Sequence, residues 1–267
     1  MRKRVKSPLK WAGSKAKSLD FIIKAIPDRP KRFVEPFAGS AVISFNVKAD
    51  EYLIADINND VINFFNVLKE YRLDFINYCK QLFIDGNNKD IYYYNRRVFN
   101  SLKFDYYRAA LFLYLNRHCF NGLCRYNSKN EFNVPFGKYK NVYFPEEEMI
   151  FLVDNIDRYI FKNQPFDMTF KECIESDVIY CDPPYLPLTE TSNFTDYTSD
   201  GFSFEMHEQL VRLAEESAAL VLISNHWIPG ITDVLYRNGD VSRRKITCRY
   251  ISVYGRPKVE EVLVIYN

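Results

Sequence analysis

The amino-acid sequence predicts an α/β fold in which a largely parallel sheet is interrupted by a helical insertion. Short apolar runs that end in turn or polar residues alternate with helical patterns towards both ends of the chain. From about residue 60 to residue 159, helical periodicity dominates instead. Strands that alternate with helices are typical of parallel sheets covered on both faces. A chain of 267 residues, 47% of them hydrophobic, is long enough to bury such a core.

Five segments are predicted to be strands because they are short, apolar and bounded by turn or polar residues. A helix between two of them is well marked, since Ser203 is a suitable N-cap and Leu210 and Ala214 follow at helical spacing. We therefore expect strands and helices to alternate in the C-terminal part. The predicted strands are residues 32–35, 51–55, 178–181, 220–223 and 259–266.

The central block is predicted to be helical from the spacing of its apolar residues. Residues 61–83 and 105–117 show helical patterns, and Pro145 suits the first turn of another helix. Residues 118–141 are dense in Asn, Gly, Tyr, Arg and Lys with little helical period, which predicts an irregular loop or hairpin. We expect one domain from residues 1–58 and 160–267, and a mostly helical domain from residues 59–159.

Charge and aromatic content leave the kind of partner open. The net charge is only +2, but the first 17 residues hold seven Lys or Arg and no acid. These residues and a second basic set near the end could offset phosphates or be ordinary solvated charges. The aromatic residues, 16% of the chain, mostly fit a large core but could also stack on bases. The two basic sets are Arg2, Lys3, Arg4, Lys6, Lys10, Lys15 and Lys17, and Arg243, Arg244, Lys245, Arg249, Arg256 and Lys258.

The cysteines and the apolar runs argue against several protein classes. The six cysteines show no spacing typical of a disulfide framework. Cys119 and Cys124 lie close to His118, but four residues separate them and no second pair exists, so we expect no zinc site. No apolar run approaches the roughly 18 residues that span a bilayer, and no apolar signal-peptide stretch follows the basic N-terminus. The sequence therefore predicts a soluble intracellular protein.

The sharpest motif is Asp182, Pro183, Pro184 and Tyr185, directly after a predicted strand. Ligands of open α/β sheets bind beyond the carboxyl ends of the strands, and two prolines make this turn stiff. We hypothesise that the Tyr185 ring stacks on a base while Asp182 and the Pro183 carbonyl accept hydrogen bonds from its exocyclic amine. Those bonds would aim the nitrogen lone pair at an electrophile. A purely structural proline turn is the alternative.

Two further regions are candidates for ligand binding. Residues 34–40 form a small-residue loop after a predicted strand, where backbone can approach a ligand closely. Asp56 ends the next predicted strand, the place where an acid commonly holds ribose hydroxyls in nucleotide-binding βαβ units. Residues 10–15 contain Trp11 and Lys15, although Trp11 alone could belong to the core and Lys15 to the surface.

Taken together, these segments resemble the Dam-type DNA adenine methyltransferases of the D12 class of N6-adenine-specific enzymes. The resemblance implies a Rossmann-like class I S-adenosylmethionine-dependent methyltransferase sheet, with a helical DNA-recognition insertion that carries a β-hairpin. It implies methyl transfer to N6 of adenine in double-stranded DNA, within GATC, with S-adenosylhomocysteine as product and without a metal. The matching segments are residues 9–13, 34–37, 55–58, 111–117, 121–127, 132–137, 182–185, 193–195 and 222–226.

The resemblance also implies roles for individual residues. Asp182, Pro183, Pro184 and Tyr185 would hold an everted adenine, and Lys10 would help to recognise the first base pair of the site. The residues implied in binding S-adenosylmethionine are Trp11, Ala12, Gly13, Lys15, Phe37, Ala38, Gly39, Ser40, Asp56, Ile57 and Asp182. The residues implied in DNA contact are Lys10, Arg117, Phe120, Asn121, Gly122, Leu123, Arg125, Asn133, Pro135, Lys138 and Tyr139.

Two residues depart from the pattern of this family. Phe120 stands where the pattern of this family has Tyr, so the aromatic ring is kept and its hydroxyl is lost. Ala41 stands where a second glycine is usual in the cofactor loop, which puts that local contact in question but not the function.

The expected mechanism is base flipping followed by direct transfer, because the target nitrogen cannot be reached inside a duplex. Phe120 or its neighbours would fill the gap, and Arg125 is the candidate for a bidentate guanine contact. Two alternatives stay open: the pocket could methylate an amine on RNA or protein, or it could be vestigial in a DNA-binding protein. We expect a monomer without an obligate protein partner, in the cytoplasm and associated with the nucleoid through DNA.

Overall fold

The computed structural model describes residues 4–13, 15, 18–186, 202–247 and 258–267. Residues 193–195, Arg2, Lys3, Lys17, Cys248, Arg249 and Arg256, and the side chains of Lys245 and Lys258, lie outside this description. The strands are β1 (Arg32–Glu35), β2 (Glu51–Asp56), β3 (Tyr159–Asn163), β4 (Asp177–Cys181), β5 (Leu220–His226), β6 (Asp240–Thr247) and β7 (Lys258–Tyr266). The helices are α1 (Leu19–Ala25), α2 (Asn59–Phe83), α3 (Lys89–Ser101), α4 (Tyr106–His118), α5 (Glu146–Val153), α6 (Phe166–Phe170), α7 (Phe204–Glu216) and α8 (Thr232–Leu235).

The described strands form one seven-stranded sheet in the order β3-β2-β1-β4-β5-β7-β6. The first five of these are parallel, and β7 runs antiparallel between β5 and β6. In the register, Val34 pairs with Leu53 and Ile179, and His226 lies opposite Glu261. This arrangement confirms the predicted Rossmann-like fold with a largely parallel sheet.

Both faces of the sheet are covered. On one face, sheet residues such as Phe33 and Tyr52 share a core with Phe65 of α2 and Phe112 of α4. On the other face, Val34 and its neighbours pack with residues of α6 and α7. The helices from residue 59 to residue 153 are therefore packed on the sheet and share its core.

Side-chain caps explain where several helices begin. Asn58 Oδ1 accepts a hydrogen bond from Asp60 N (3.0 Å) at the start of α2, and Asp105 Oδ1 accepts one from Arg108 N (2.8 Å) before α4. Ser203 Oγ accepts one from Met206 N (3.4 Å), so the predicted N-cap of α7 is confirmed. Within α2, Arg72 has φ +48° and kinks the helix. Strands β3 and β6 and helices α1, α3, α6 and α8 were not predicted.

Residues 118–141 form an irregular antiparallel hairpin. Cys119 bridges to Phe136 and Tyr126 to Phe132, and a single 3₁₀ turn, Phe120–Gly122, lies in the first arm. None of the helices in the described part of the chain is long and apolar enough to cross a membrane. Across the described ranges, no three His, Cys, Asp or Glu side chains are grouped closely enough to hold a metal ion.

Candidate active site

Two buried acids, Glu35 and Asp56, and the partly buried Asp182 lie at the carboxyl edge of the parallel sheet. Glu35 ends β1, Asp56 ends β2, and Asp182 directly follows β4, and parallel strands end at the same edge. Burial raises the pKa of Glu35 to about 8, although both the amide and the hydroxyl of Ser44 donate to its carboxyl group. Burial also raises the pKa values of Asp56 and Asp182. The carboxylate groups at this edge of the sheet are therefore poorly hydrated.

The loop after β1 is tied to Asp56. Gly39 N donates to Asp56 Oδ2 (2.7 Å), and Asn58 N donates to Asp56 Oδ1 (2.8 Å). Gly39 has φ +48°, and a Cβ atom there would lie 2.5 Å from Trp11 Nε1. A glycine is therefore required by both the backbone conformation and the close approach of the indole. The structure brings the predicted residues Trp11, Gly39 and Asp56 together.

The other residues that the resemblance implies in cofactor binding differ in exposure. The Ile57 side chain is 77% exposed beside Asp56, and Ala12 and Gly13 are also exposed. Ala38 and Ser40 are buried, and Phe37 packs against the Phe166 ring with centroids 5.2 Å apart. Ala41, where a glycine was expected, is buried with φ +54°. Its left-handed backbone gives the physical reason why glycine suits that position.

Lys15 links the acid and the aromatic ring of the Asp182–Tyr185 turn. Its Nζ atom lies 2.8 Å from Asp182 Oδ2 and 4.6 Å from the centroid of the Tyr185 ring, and it also donates to Gly13 O (2.9 Å). Asp182 Oδ1 is buried and has no hydrogen-bond partner among the described residues. The Lys15 ammonium opposes the effect of burial on the pKa of Asp182. A nitrogen donor thus already lies between the carboxylate and the ring.

The sequence did not predict the residues that contact the hydroxyl and the ring of Tyr185. The Tyr185 hydroxyl donates to Glu261 Oε1 (3.1 Å), and Ser18 Oγ donates to Glu261 Oε2 (2.6 Å). The His226 ring meets the Tyr185 ring edge to face, with centroids 4.6 Å apart at 75°. Asn225 Oδ1 accepts from Leu186 N (3.1 Å) just after the turn. Asn225 and His226 belong to a segment that carries the family resemblance, whereas Glu261 was noted only as part of a predicted strand and Ser18 was not noted.

The hairpin presents predicted DNA-contacting residues to solvent. Phe120 is 49% exposed, and Asn121, Arg125, Pro135 and Lys138 are exposed as well. Phe120 N donates to Pro135 O (2.8 Å), which joins the two arms at this point. Arg125 Nε donates to Asn133 Oδ1 (2.7 Å), and the described residues make no hydrogen bond with the two terminal nitrogens of Arg125.

The N-terminal segment packs against the same hairpin. Lys10 Nζ lies 4.2 Å from the centroid of the Tyr139 ring and donates to Arg117 O (3.1 Å). Gly122 has φ +65°, and a Cβ atom there would lie 2.4 Å from Lys10 Cβ. Burial, with the nearby Arg117 charge, lowers the pKa of Lys10. Leu123, in the same arm of the hairpin, is half-buried.

Arg117 lies differently from the other residues implied in DNA contact. It is only 8% exposed, donates from Nε to Tyr143 O (3.1 Å) and lies over the Tyr143 ring. Its guanidinium therefore faces the protein, because α4 is buried on all sides at this point. In this conformation Arg117 supports the segments around the hairpin and does not reach solvent.

A buried polar network anchors the hairpin beside the end of β2. Asp60 accepts hydrogen bonds from Arg108 Nε (2.6 Å) and Nη2 (3.1 Å) and from the Tyr126 hydroxyl (2.6 Å). Asn58, two residues after Asp56, donates to Cys124 Sγ (3.5 Å). These contacts join α2, α4 and the hairpin to the region of Asp56.

Comparisons with known proteins give one consistent result. Residues 11–251 match the family described as D12 class N6 adenine-specific DNA methyltransferase. The chain is 42% identical to the DNA adenine methylase of Haemophilus influenzae, over 97% of this chain and 93% of that protein. It is 42% identical to the DNA adenine methylase of Serratia marcescens, over 99% and 100% of the two chains. Identity to the DNA adenine methylase of Escherichia coli K12 is 38%, over 99% and 96% of the two chains.

Proposed function

The chain belongs to the D12 class N6 adenine-specific DNA methyltransferase family, and on that premise we propose that it methylates adenine within GATC in duplex DNA, with S-adenosylmethionine as donor. We further propose that the adenine is flipped out of the helix and placed at Asp182–Tyr185. The observation that supports this most is the Lys15 nitrogen, 2.8 Å from Asp182 Oδ2 and 4.6 Å from the Tyr185 ring centroid. The Lys15 nitrogen shows that a donor can lie near both the carboxylate and the ring, which is the position that the adenine amine would need.

The residues around Asp56 fit S-adenosylmethionine, which supplies the methyl group as an electrophilic sulfonium when bound. Each Asp56 oxygen accepts one backbone hydrogen bond, and each has a further lone pair for a ribose hydroxyl. The exposed Ile57 side chain offers apolar surface beside that acid. The Gly39 loop, with Trp11 and exposed Ala12 and Gly13, leaves backbone open to a ligand.

Asp182 would act by orienting the amine. The described part of the chain offers no partner to its buried Oδ1 atom, and a buried acceptor without a partner is costly, so an N6 hydrogen donated there would relieve that cost. The Pro183 carbonyl would accept the second amine hydrogen, while Tyr185 stacks on the ring. The Asp182 carboxylate would also stabilise the positive charge that develops on N6 during transfer, and the methylated nitrogen would then lose one proton to solvent.

The hairpin would read the DNA sequence. Asn133 holds Arg125 Nε, which leaves the two terminal nitrogens for a bidentate guanine contact worth about 1–3 kcal/mol of discrimination. Exposed Phe120 is placed to fill the gap that a flipped base leaves. Asn121, Leu123, Pro135 and Tyr139 would complete the major-groove contacts, with Lys10, Gly122 and Lys138 beside them. Arg117, being buried, would support the hairpin indirectly.

The organisation of the protein is also proposed. Residues 59–159 would act as the target-recognition domain, and residues 1–58 and 160–267 would bind the cofactor and catalyse transfer. We propose that one chain suffices, without an obligate partner, and that it acts in the cytoplasm on nucleoid DNA, where its substrate is found.

A labelled-methyl assay tests this function. Wild-type protein is incubated with radiolabelled S-adenosylmethionine and a GATC duplex, with duplexes that differ from it by one base pair, with RNA, or with a protein substrate. We expect label on N6 of adenine in the GATC duplex. Label on RNA or protein alone, or equal label on all duplexes, would contradict the proposal.

Asp182→Ala tests the role of the turn. It should abolish transfer, because the amine loses its acceptor, while circular dichroism remains close to wild type. An Asp182→Ala protein that methylates DNA at the wild-type rate would refute the assignment. Absence of any cofactor binding by the wild type would instead favour a vestigial pocket.

A further inference from the structure

We infer that Glu261 is a positioning residue that sets the orientation of the Tyr185 ring for methyl transfer. This inference rests on the proposed stacking of the target adenine on Tyr185. Glu261 lies in β7, 76 residues after Tyr185 in the chain, outside every motif that the sequence indicates. It acts on the ring through the phenolic hydroxyl.

The geometry restrains the Tyr185 ring at three points. Its hydroxyl donates to Glu261 Oε1 (3.1 Å), its ring packs at 75° against the His226 ring (4.6 Å between centroids), and the stiff Pro183–Pro184 pair precedes its backbone. Ser18 Oγ holds the second oxygen of Glu261 (2.6 Å). Because both carboxylate oxygens are engaged, the acceptor itself cannot rotate freely. The ring plane is therefore determined by groups outside the turn.

The sheet explains why Glu261 reaches this place. His226 and Glu261 are directly opposite each other in the antiparallel β5–β7 pair, and opposite residues project from the same face of a sheet. Both side chains therefore approach Tyr185 together, at the edge where β4 and β5 end. Glu261 and Ser18 are both buried, so water competes little for these hydrogen bonds.

The orientation of the Tyr185 ring affects the reaction because it sets the direction of the N6 lone pair. A base that stacks on Tyr185 takes its plane from that ring, and the N6 lone pair lies perpendicular to the base plane. If the ring tilts, the lone pair points away from the methyl donor. Misplacement by about 1 Å can reduce a rate about 100-fold without loss of binding. We therefore expect the transfer rate to depend on Glu261, while cofactor binding does not.

A double-mutant cycle with Tyr185→Phe tests this inference in the full-length protein. The single-turnover rate with a GATC duplex is measured at saturating S-adenosylmethionine for wild type, Glu261→Ala, Tyr185→Phe and the double variant. We expect Glu261→Ala to slow transfer about 10- to 100-fold. In the Tyr185→Phe background the same change should have almost no effect, because the hydroxyl through which Glu261 acts is absent. An undiminished effect in that background would overturn the inference.

Glu261→Gln separates position from charge. Its amide oxygen can accept from Tyr185 and its NH₂ group can donate to Ser18, so most of the rate should return. If Glu261→Gln is as slow as Glu261→Ala, the charge matters and the positioning role is wrong. Glu216→Gln, an exposed change on α7, is the matched control and should behave as wild type.

Two readouts separate this inference from other failures. Calorimetric binding of S-adenosylhomocysteine and the thermal unfolding midpoint should match wild type in Glu261→Gln, and cofactor binding should be kept in Glu261→Ala. A wild type that does not methylate the duplex at all would refute the proposed function, whereas an active wild type with an equally active Glu261→Ala refutes only this inference.

Discussion

Replacing Gly39 by Ala should lower the free energy of unfolding by more than the cost of its left-handed backbone conformation alone. Gly39 has φ +48°, and the left-handed region costs a residue with Cβ roughly 1–2 kcal/mol. The added methyl group would also lie 2.5 Å from Trp11 Nε1, and overpacking of this kind costs about 1–3 kcal/mol. Together, the free energy of unfolding should fall by about 2–5 kcal/mol.

Gly230→Ala is the matched control. Gly230 has φ +80°, but its added Cβ would meet no atom of the described residues within 4 Å, so only the conformational cost of about 1–2 kcal/mol applies. The two variants are compared by urea unfolding and by calorimetric titration with S-adenosylhomocysteine. Gly39→Ala should lose at least about tenfold in affinity, or about 1.4 kcal/mol, because Trp11 and the Gly39–Asp56 hydrogen bond are displaced. Equal unfolding energies for the two variants, with unchanged cofactor affinity, would refute this reasoning.

Two further changes test the carboxyl edge. Ala41→Gly should change the free energy of unfolding by less than about 1 kcal/mol, because relief of the left-handed backbone at φ +54° (about 1–2 kcal/mol) is offset by the entropy that glycine loses (about 0.5–1 kcal/mol) and by the loss of a buried methyl group (about 0.8 kcal/mol). Urea unfolding measures this change, and a loss of more than about 2 kcal/mol would contradict the reasoning. Glu35→Gln should flatten the dependence of stability on pH. The pKa of Glu35 is raised to about 8 in the folded protein against 4.5 ordinarily. The protonated carboxyl group therefore stabilises the folded state fully below pH 4.5, and this stabilisation is lost as the pH rises to about 8. Thermal unfolding from pH 5 to pH 8.5 measures this slope, and identical slopes for the two proteins would count against it.

The strands that position the site were predictable because parallel strands are buried on both faces. β1, β2, β4 and β5 therefore appear as short continuous apolar runs. β3 lacks that signal, since Ile160 is 43% exposed and the five residues follow directly on a helical pattern. β6 lies at the edge of the sheet and carries Arg243 and Arg244, as edge strands often carry charges.

Helix α3 was missed for a related reason. Only Tyr92 and Phe99 of its 13 residues are buried, so its apolar pattern is too sparse for periodicity to detect. Asn88 did offer a local signal, since its side chain accepts from Asp90 N (2.8 Å) as an N-cap.

The candidate site was predictable only where its signals are local. Asp56, Gly39 and the Asp182–Tyr185 turn each follow a strand, and chain order alone places them at one edge. The Lys15–Asp182 ion pair and the Tyr185–Glu261 hydrogen bond join residues far apart in the chain. These pairings depend on strand order and register, and β7 in particular must insert between β5 and β6 before Glu261 reaches Tyr185.

The most direct test of the proposed mechanism is a crystal structure of the protein with S-adenosylhomocysteine and a GATC duplex. We predict an adenine outside the helix, its ring stacked on Tyr185 and its N6 about 3 Å from Asp182 Oδ1, at normal hydrogen-bond distance. An adenine that stays paired, or one that is everted into a place remote from Asp182, would contradict the mechanism.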